Sequence, residues 1–311
     1  MACPHHIRMF QRKPWSYKEL PVRYAEIADY NRYEKSGELM GMIRARKFQL
    51  TDAHIFVVPE NIKEEFGRVC SLIREGIKSL GLDAVVSYRF SKRDAADKEK
   101  YYPDEALWIK AEGLVKEALD ESDFDYSEMT GEAAFYGPKL DIQAKNVNGK
   151  EDTLFTAQID FLLPEKFNLE YAAEDGTKKR PVMIHHSSIG ALERTFAYLI
   201  EHYAGAFPVW LAPVQVAILP VSEKFDDYAK KVYARFLEKG IRVEIKAGNE
   251  TLGKRIREAQ VMKIPYMLIV GEKEEKSKTV SERDRSGKDY GRVKPDKFIE
   301  NLKKEIAEKN I

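Results

Sequence analysis

The sequence predicts an α+β domain on a large antiparallel sheet over residues 1–210, then a small α/β domain with a mixed sheet over 211–311. Three observations predict it. At 311 residues the chain is long for one ordinary domain and suits two. Its first two-thirds hold long segments that are polar at alternate positions, as strands with one lined face are. After "WLAPVQVAILPV", punctuated by Pro208 and Pro213, short apolar runs alternate with amphipathic stretches instead.

In the first domain, "AEIADYNRYEK", "IRARKFQLTDAHIFVV", "AAFYGPKLDIQAK", "TLFTAQIDFLL" and "RPVMIHH" read as strands. They surround helices expected at 60–80 and 104–120. A further helix runs through "ALERTFAYLIEHY". In the second domain, "VQVAILPV" reads as a buried strand. "SEKFDDYAKKVYARFLEKG" reads as a helix, N-capped near Ser222 and stopped by Gly240. "IRVEIKA" is a strand, "TLGKRIREAQVMKI" a helix, "PYMLIVG" and "KTVSERDR" strands, and "KPDKFIENLKKEIAEKN" a last amphipathic helix. The order βαβαββα requires a mixed sheet.

Composition narrows the function. Apolar residues make up 43% and charged residues 33%, with a net charge of +1. A globally basic nucleic-acid binder is excluded, so any such surface is local. Cys3 and Cys70 are the only cysteines, too few for a disulfide framework and suited to a reducing cytosol. There is no apolar run of about 18 residues. The expectation is a soluble, cytoplasmic protein with no membrane partner.

Six histidines are scattered, yet "MACPHHI", "LTDAHIF" and "VMIHHSSIG" cluster them with Cys3 in a pattern that raises a metal site divided along the chain. "RYEKSGELMGMIRARKF" reads as a strand, a Gly/Ser turn and a second strand. Arg32 and Glu34 then share one face of the first strand, and Arg44 and Arg46 one face of the second. Converging cationic forks suit a polyphosphate; a charged, solvated hairpin is the competing reading. "IHHSSIGALERTF" places Arg194 in the first turns of a helix leaving a strand, with Gly190 allowing close approach. No GxxxxGK[ST] or GxGxxG occurs, which excludes a P-loop and a Rossmann fingerprint.

On "CPHHI", "RYEKSGEL", "TDAHIF", "GEAAFYGPK", "RPVMIH", "GALER", "EHYAGAFPVWLAPVQV", "NETLGKRIREAQ" and "PYMLIVG", the chain resembles the threonyl-tRNA synthetase family of class II aminoacyl-tRNA ligases. The resemblance runs from near the start of the chain to its end. It implies a class II catalytic core followed by an anticodon-binding domain. It implies threonine–tRNA ligase activity with threonine, Mg-ATP and tRNA(Thr), a zinc ion, and a homodimer. The alternative is a non-catalytic or weakly active synthetase-derived tRNA-binding module.

Residue by residue, the resemblance makes Cys3, His54 and His185 the zinc ligands, with His5, His6 and His186 as neighbours. One thiolate and two imidazoles leave an open position for a substrate. Arg32, Glu34 and Arg44 match motif 2. Arg32 would grip the α-phosphate and the carboxylate, Glu34 the adenine amino group and Arg44 the outer phosphates, with Phe48 stacked on adenine. Gly190, Glu193 and Arg194 match motif 3, with Arg194 at the γ-phosphate. Lys139 would serve phosphate and carboxylate during activation. Asp52 would accept from the threonine hydroxyl, Tyr136 would lie near its amino group, and Gln158 near the tRNA end. Asn249, Glu274 and Arg283 match anticodon-reading positions. Lys254, Arg255 and Arg257 share one helix and are either phosphate contacts or an ordinary solvated basic face.

The sequence also departs from the family. Motif 1 normally precedes "CPHH", where only Met1 and Ala2 stand here, so the expectation is a shortened core without the editing domain. Ala2 stands for the usual asparagine. Leu50 and Thr51 replace Gln-Asp, Leu154 and Phe155 replace Cys-Gly, His186 replaces arginine, and Ala191 replaces serine. All are expected close to the substrate pocket.

Overall fold

A computed structural model describes residues 3–122, 124–247 and 250–309. The chain divides into two compact units, Met1–Tyr198 and Leu199–Ile311. The sequence placed the boundary at 210. Arg242 donates to the carbonyls of Trp210 and Ala212, and Arg285 to that of Phe207, which ties residues 207–212 into the second unit. No helix among the described residues is long and apolar enough to cross a membrane.

In the first unit, α1 (Cys3–Phe10) leads to β1 (Val22–Asn31) and β2 (Lys47–Val57). Then come α2 (Ile62–Leu80), β3 (Val86–Lys92), α3 (Glu105–Asp120), β4 (Tyr126–Thr130), β5 (Lys139–Lys145) and β6 (Glu151–Asp160). A short α4 (Leu162–Lys166), a small hairpin of β7 (Tyr171–Ala172) and β8 (Lys178–Lys179), β9 (Val182–Ser187) and α5 (Leu192–Tyr203) follow, the division between the units falling within α5. Seven strands form one sheet in the order β1-β2-β9-β6-β5-β3-β4. It is antiparallel except for the parallel pair β3–β4, two strands that the sequence did not announce.

Helix α2 buries Ile62, Phe66, Val69, Ile73, Ile77 and Leu80, the stripe expected at helical spacing. Gly81 ends it in the left-handed region at φ 69°. Helix α1 packs Ile7 and Phe10 against Phe56 and Met183. By strand alternation those two share the sheet face of His54 and His185. From Asp52 onward β2 is buried at every position, so its alternation disappears where both faces are covered.

The expected hairpin is corrected. β1 stops at Asn31 and β2 starts at Lys47, so Arg32, Glu34, Arg44 and Arg46 lie off the strands. Residues 32–46 form a lobe that bonds to itself. Arg32 N donates to Arg46 O at 2.8 Å, Arg46 Nε to Glu34 O at 3.1 Å, and Met40 bridges Arg44. A Gly/Ser turn would be too short for these bonds.

In the second unit, β10 (Val216–Pro220), α6 (Asp226–Glu238), β11 (Val243–Ile245), α7 (Leu252–Val261), β12 (Tyr266–Val270), α8 (Glu272–Ser277), β13 (Val280–Asp284), β14 (Asp289–Val293) and α9 (Pro295–Glu308) follow in turn. The sheet order is β11-β10-β12-β13-β14. β10 is parallel to β11 and β12, and the last two pairs are antiparallel, which makes the mixed sheet expected. Val216 and Ile218 face α6 and α9 through Phe236 and Phe298, while Ala217 and Leu219 face Ala259 of α7. The sequence missed α8, which is nearly all charge, and β14, a polar edge strand holding Gly291 at φ 83°.

Arg255 is also corrected. It is 2% exposed and cannot meet a phosphate. Its guanidinium donates to the carbonyls of Pro220, Val221, Lys246 and Glu250, which pins the start of α7 to the ends of two strands. Lys254 is paired with Glu250 at 2.5 Å, so Arg257 is the exposed cation of the three with no ion pair among the described residues. Arg255→Met keeps the stem and strands four carbonyls. It is expected to cost at least about 3 kcal/mol, read as a lowered urea midpoint of the second unit.

Candidate active site

Register assembles the site. His54 of β2 pairs with His185 of β9, His185 with Gln158 of β6, and Gln158 with Lys139 of β5. Four side chains far apart in sequence therefore form one row across the sheet. Phe48, Leu50 and Asp52 continue along β2 on the face of His54. Together with Cys3, Tyr30, Arg32, Glu34, Arg44, Tyr136 and Arg194 they line a cleft of about 400 Å³.

At one end, Cys3, His54 and His185 bring their donor atoms within 4.8 Å of one another, and all three are buried. Cys3 Sγ is 3.7 Å from His185 Nδ1. His185 Nε2 meets Asp160 Oδ2 at 2.8 Å, with the Asp160 carboxylate fully buried. His54 is wholly buried, and its Nε2 has no hydrogen-bond partner among the described residues. An orphaned imidazole nitrogen facing a thiol and a second imidazole fits a zinc ion. Burial drives the His54 pKa down to about 2. Burial would also lower that of His185, but Asp160 and Cys3 outweigh it and raise it to about 10.

Beside this cluster, Asp52 Oδ1 lies 3.9 Å from His54 Nε2. Burial raises the Asp52 carboxyl above its usual range, against a hydrogen bond from the Tyr30 hydroxyl. Tyr136 donates to Gln158 Oε1, and its ring centroid is 5.4 Å from that of His185. Lys139 Nζ is held by Asp141 at 2.8 Å.

The other end is cationic. The Arg32 guanidinium lies 5.0 Å over the Phe48 ring, which Tyr30 stacks from 5.8 Å. Arg44 pairs with Glu34 at 3.0 Å, so these two expected nucleotide contacts hold each other. Arg194 donates to the carbonyls of Ile43 and Thr153. Burial, then the nearby Arg32, lowers its pKa. Glu193 accepts from Gln49 N at 2.9 Å. Gly190, at φ 77°, is required: a Cβ there would stand 2.2 Å from Leu154 O. That contact presses the start of α5 onto β6 and aims Arg194 into the cleft.

Leu50, Leu154, His186 and Ala191 line the cleft, as expected. Phe155 does not: it is fully buried on the other face of β6. Thr51 instead bonds Ser187 Oγ and Gly190 O.

In the second unit, Glu274 Oε2 accepts from Gly271 N at 3.1 Å and caps α8. Arg283 reaches Asp289 at 3.2 Å, while its Nε has no partner among the described residues. Asn249 lies outside the described residues. Sequence reasoning missed Tyr30, Asp141 and Asp160, for which single carboxylates or a tyrosine in a strand give no signal. It treated His6 as a neighbour only, although His6 sits three residues after Cys3 on the same helix face.

Residues 1–203 match the family "tRNA synthetase class II core domain (G, H, P, S and T)", and residues 215–305 match "Anticodon binding domain". The threonine–tRNA ligases of Clostridium botulinum (strain Eklund 17B / Type B) and Geobacillus kaustophilus (strain HTA426) are each 50% identical to the chain, over 309 and 310 residues. These matches take in 99% of this chain but 48% and 47% of the relatives, so the chain spans about half the length of the curated relatives it matches. The crystal structure of the RNA binding domain of threonyl-tRNA synthetase from Cryptosporidium parvum Iowa II is similar with a TM-score of 0.88 at 35% identity, covering 98% of this chain and 75% of that one. The class II synthetase-like core and the following anticodon-binding fold are thus those of this chain.

Elemental analysis is expected to find one zinc per chain, and none in Cys3→Ser, because a hydroxyl replaces a thiolate poorly. Binding requires a deprotonated thiol and a bare His185 Nδ1. Because His185 holds its proton up to about 10, affinity should fall as pH falls. A chelator-competition titration at several pH values measures the slope.

Proposed function

The chain belongs to the class II tRNA synthetases, and we propose that it carries the threonine–tRNA ligase reaction: ATP-dependent activation of threonine, then transfer to tRNA(Thr). One observation carries this reading. The cross-strand row sets a Cys/His/His cluster and Asp52 at one end of a cleft whose other end holds Arg32, Arg44 and Arg194. An amino acid with a hydroxyl suits the first end, and a nucleoside triphosphate with its Mg2+ suits the second.

When bound, a zinc ion at Cys3, His54 and His185 would anchor the amino group and hydroxyl of threonine. Asp52, beside that position, accepts from the hydroxyl. The Tyr136–Gln158 pair closes the amino side and faces the incoming tRNA end. Lys139, fixed by Asp141, reaches the carboxylate and α-phosphate. Arg32 shares that α-phosphate, and Phe48 offers adenine its ring. Glu34 takes the adenine amino group, Arg44 turns to the outer phosphates, and Arg194 meets the γ-phosphate. The threonine carboxylate attacks the α-phosphorus in line, and pyrophosphate leaves with the bonding electron pair. Placement and charge neutralisation do the work, since no protein group is bonded to the substrate.

The second unit binds the anticodon in this reading, with Asn249, Glu274 and Arg283 addressing unpaired bases. The family's homodimer and cytoplasmic setting belong to the same proposal.

Threonine-dependent ATP–pyrophosphate exchange tests the assignment. Arg194→Ala should slow it by about 10²-fold or more, through loss of a group that meets developing charge. An Arg194→Ala chain exchanging at the parent's rate would refute the phosphate role.

Amino-acid choice gives a second test. Valine leaves the metal position and Asp52 unpaired and should be rejected by about 10⁴-fold or more. Serine lacks one methyl and should lose only about 10–200-fold. Exchange that ranks valine above serine would remove the hydroxyl-reading site.

A further inference from the structure

The two imidazoles of the metal cluster are supported differently. His185 is held by Asp160 directly. His54 Nδ1 meets another imidazole: His6 Nδ1 lies 2.7 Å away. His6 is 4% exposed, and its Nε2 is 3.3 Å from Glu26 Oε1. That oxygen is buried and otherwise without a partner among the described residues.

This geometry fixes the tautomers. Two Nδ1 atoms at 2.7 Å share one proton between them, so one donates and the other accepts. A carboxylate opposite His6 Nε2 requires a hydrogen there, because a bare nitrogen would face the oxygen lone pairs. His6 Nδ1 is then the acceptor, and His54 Nδ1–H the donor. His54 Nε2 is left bare and without a partner among the described residues, and His54 offers a ring nitrogen within 4.8 Å of donor atoms of Cys3 and His185. The rings are also held edge to face, with His54 and His6 centroids 4.9 Å apart at 75° and Tyr24 packed 5.5 Å from His6.

We propose that His6 and Glu26 are positioning residues for the metal: the line Glu26–His6–His54 sets the tautomer and ring plane of His54, as Asp160 does for His185. The inference rests on the reading that Cys3, His54 and His185 hold zinc. Helix α1 then supplies a ligand and, one turn later, the support for a second ligand on β2. The outer partner of a metal-bound histidine commonly governs affinity by 10–100-fold, roughly.

The test is zinc affinity by chelator competition, with the cobalt(II) spectrum as a report on coordination geometry. His6→Leu removes the acceptor and is expected to weaken zinc by about 10–100-fold and to shift the cobalt bands. His6→Gln offers an amide oxygen to His54 and an amide N–H to Glu26, and should stay close to the parent in both. Glu26→Gln should fall between them. The metal-free melting temperature is recorded for each variant. Parental affinity in His6→Leu overturns the proposal. So does a fall in metal-free stability with affinity intact, which would make His6 a packing residue. Equal loss in His6→Gln and His6→Leu overturns the tautomer argument. A parent chain that takes up no zinc overturns the metal reading itself, and with it this one.

Discussion

The pairing of β2 with β9 is the constraint on which the site depends. His54 stands opposite His185 because these strands pair in one register, and the same ladder continues to Gln158 and Lys139. Side chains alternate faces with a period of two, so a slip by one residue would turn one histidine away from the other. The apolar partners enforce the register. Phe56 and Met183 sit under Ile7 and Phe10 of α1, and a slip would expose them. Packing of Phe56 and Met183 thus sets the spacing of His54 and His185, and α1 is locked by the same contacts that bring Cys3 into place.

The cleft is polarised along its length. Buried carboxylates, Asp52 and Asp160, attend the cysteine and histidines. Arg32 and Arg44 crowd Arg194 and lower its pKa together with burial. Like charges held together cost stability in the free protein and favour a polyanion that separates them. Glu34 offsets part of that repulsion by pairing with Arg44. In the proposed reading, a nucleotide that engages both would have to break this pair.

In the second unit, charged residues serve the fold as much as the surface. Arg255 is used up on four carbonyls, and Lys254 is paired with Glu250. A buried arginine surrounded by backbone oxygens replaces the hydrogen bonds that strand ends would otherwise seek in water. The sites left for a partner are fewer than a count of lysines and arginines suggests.

The sequence alone determined the two-part architecture, the long strands, the stripe of α2 and, in the second unit, α6, α7 and α9, because periodicity is a local property of the chain. It also raised a divided metal site in "MACPHHI", "LTDAHIF" and "VMIHHSSIG", since rare residue types stand out in a histidine-poor chain, and the family resemblance picked Cys3, His54 and His185 from them. Tertiary structure decided what each side chain does. Nothing local distinguishes Arg255 from Arg257, two residues apart on one helix, yet one is buried and the other exposed. Nothing local says that Phe155 turns into the core while Leu154 lines the cleft, or that Arg32 and Arg44 leave their strands for a lobe. Asp160 meets His185, and His6 meets His54 and Glu26, only because segments far apart in sequence pack together. Burial and register are relations between segments far apart in sequence, and they alone decide which of two similar residues meets solvent, backbone or substrate.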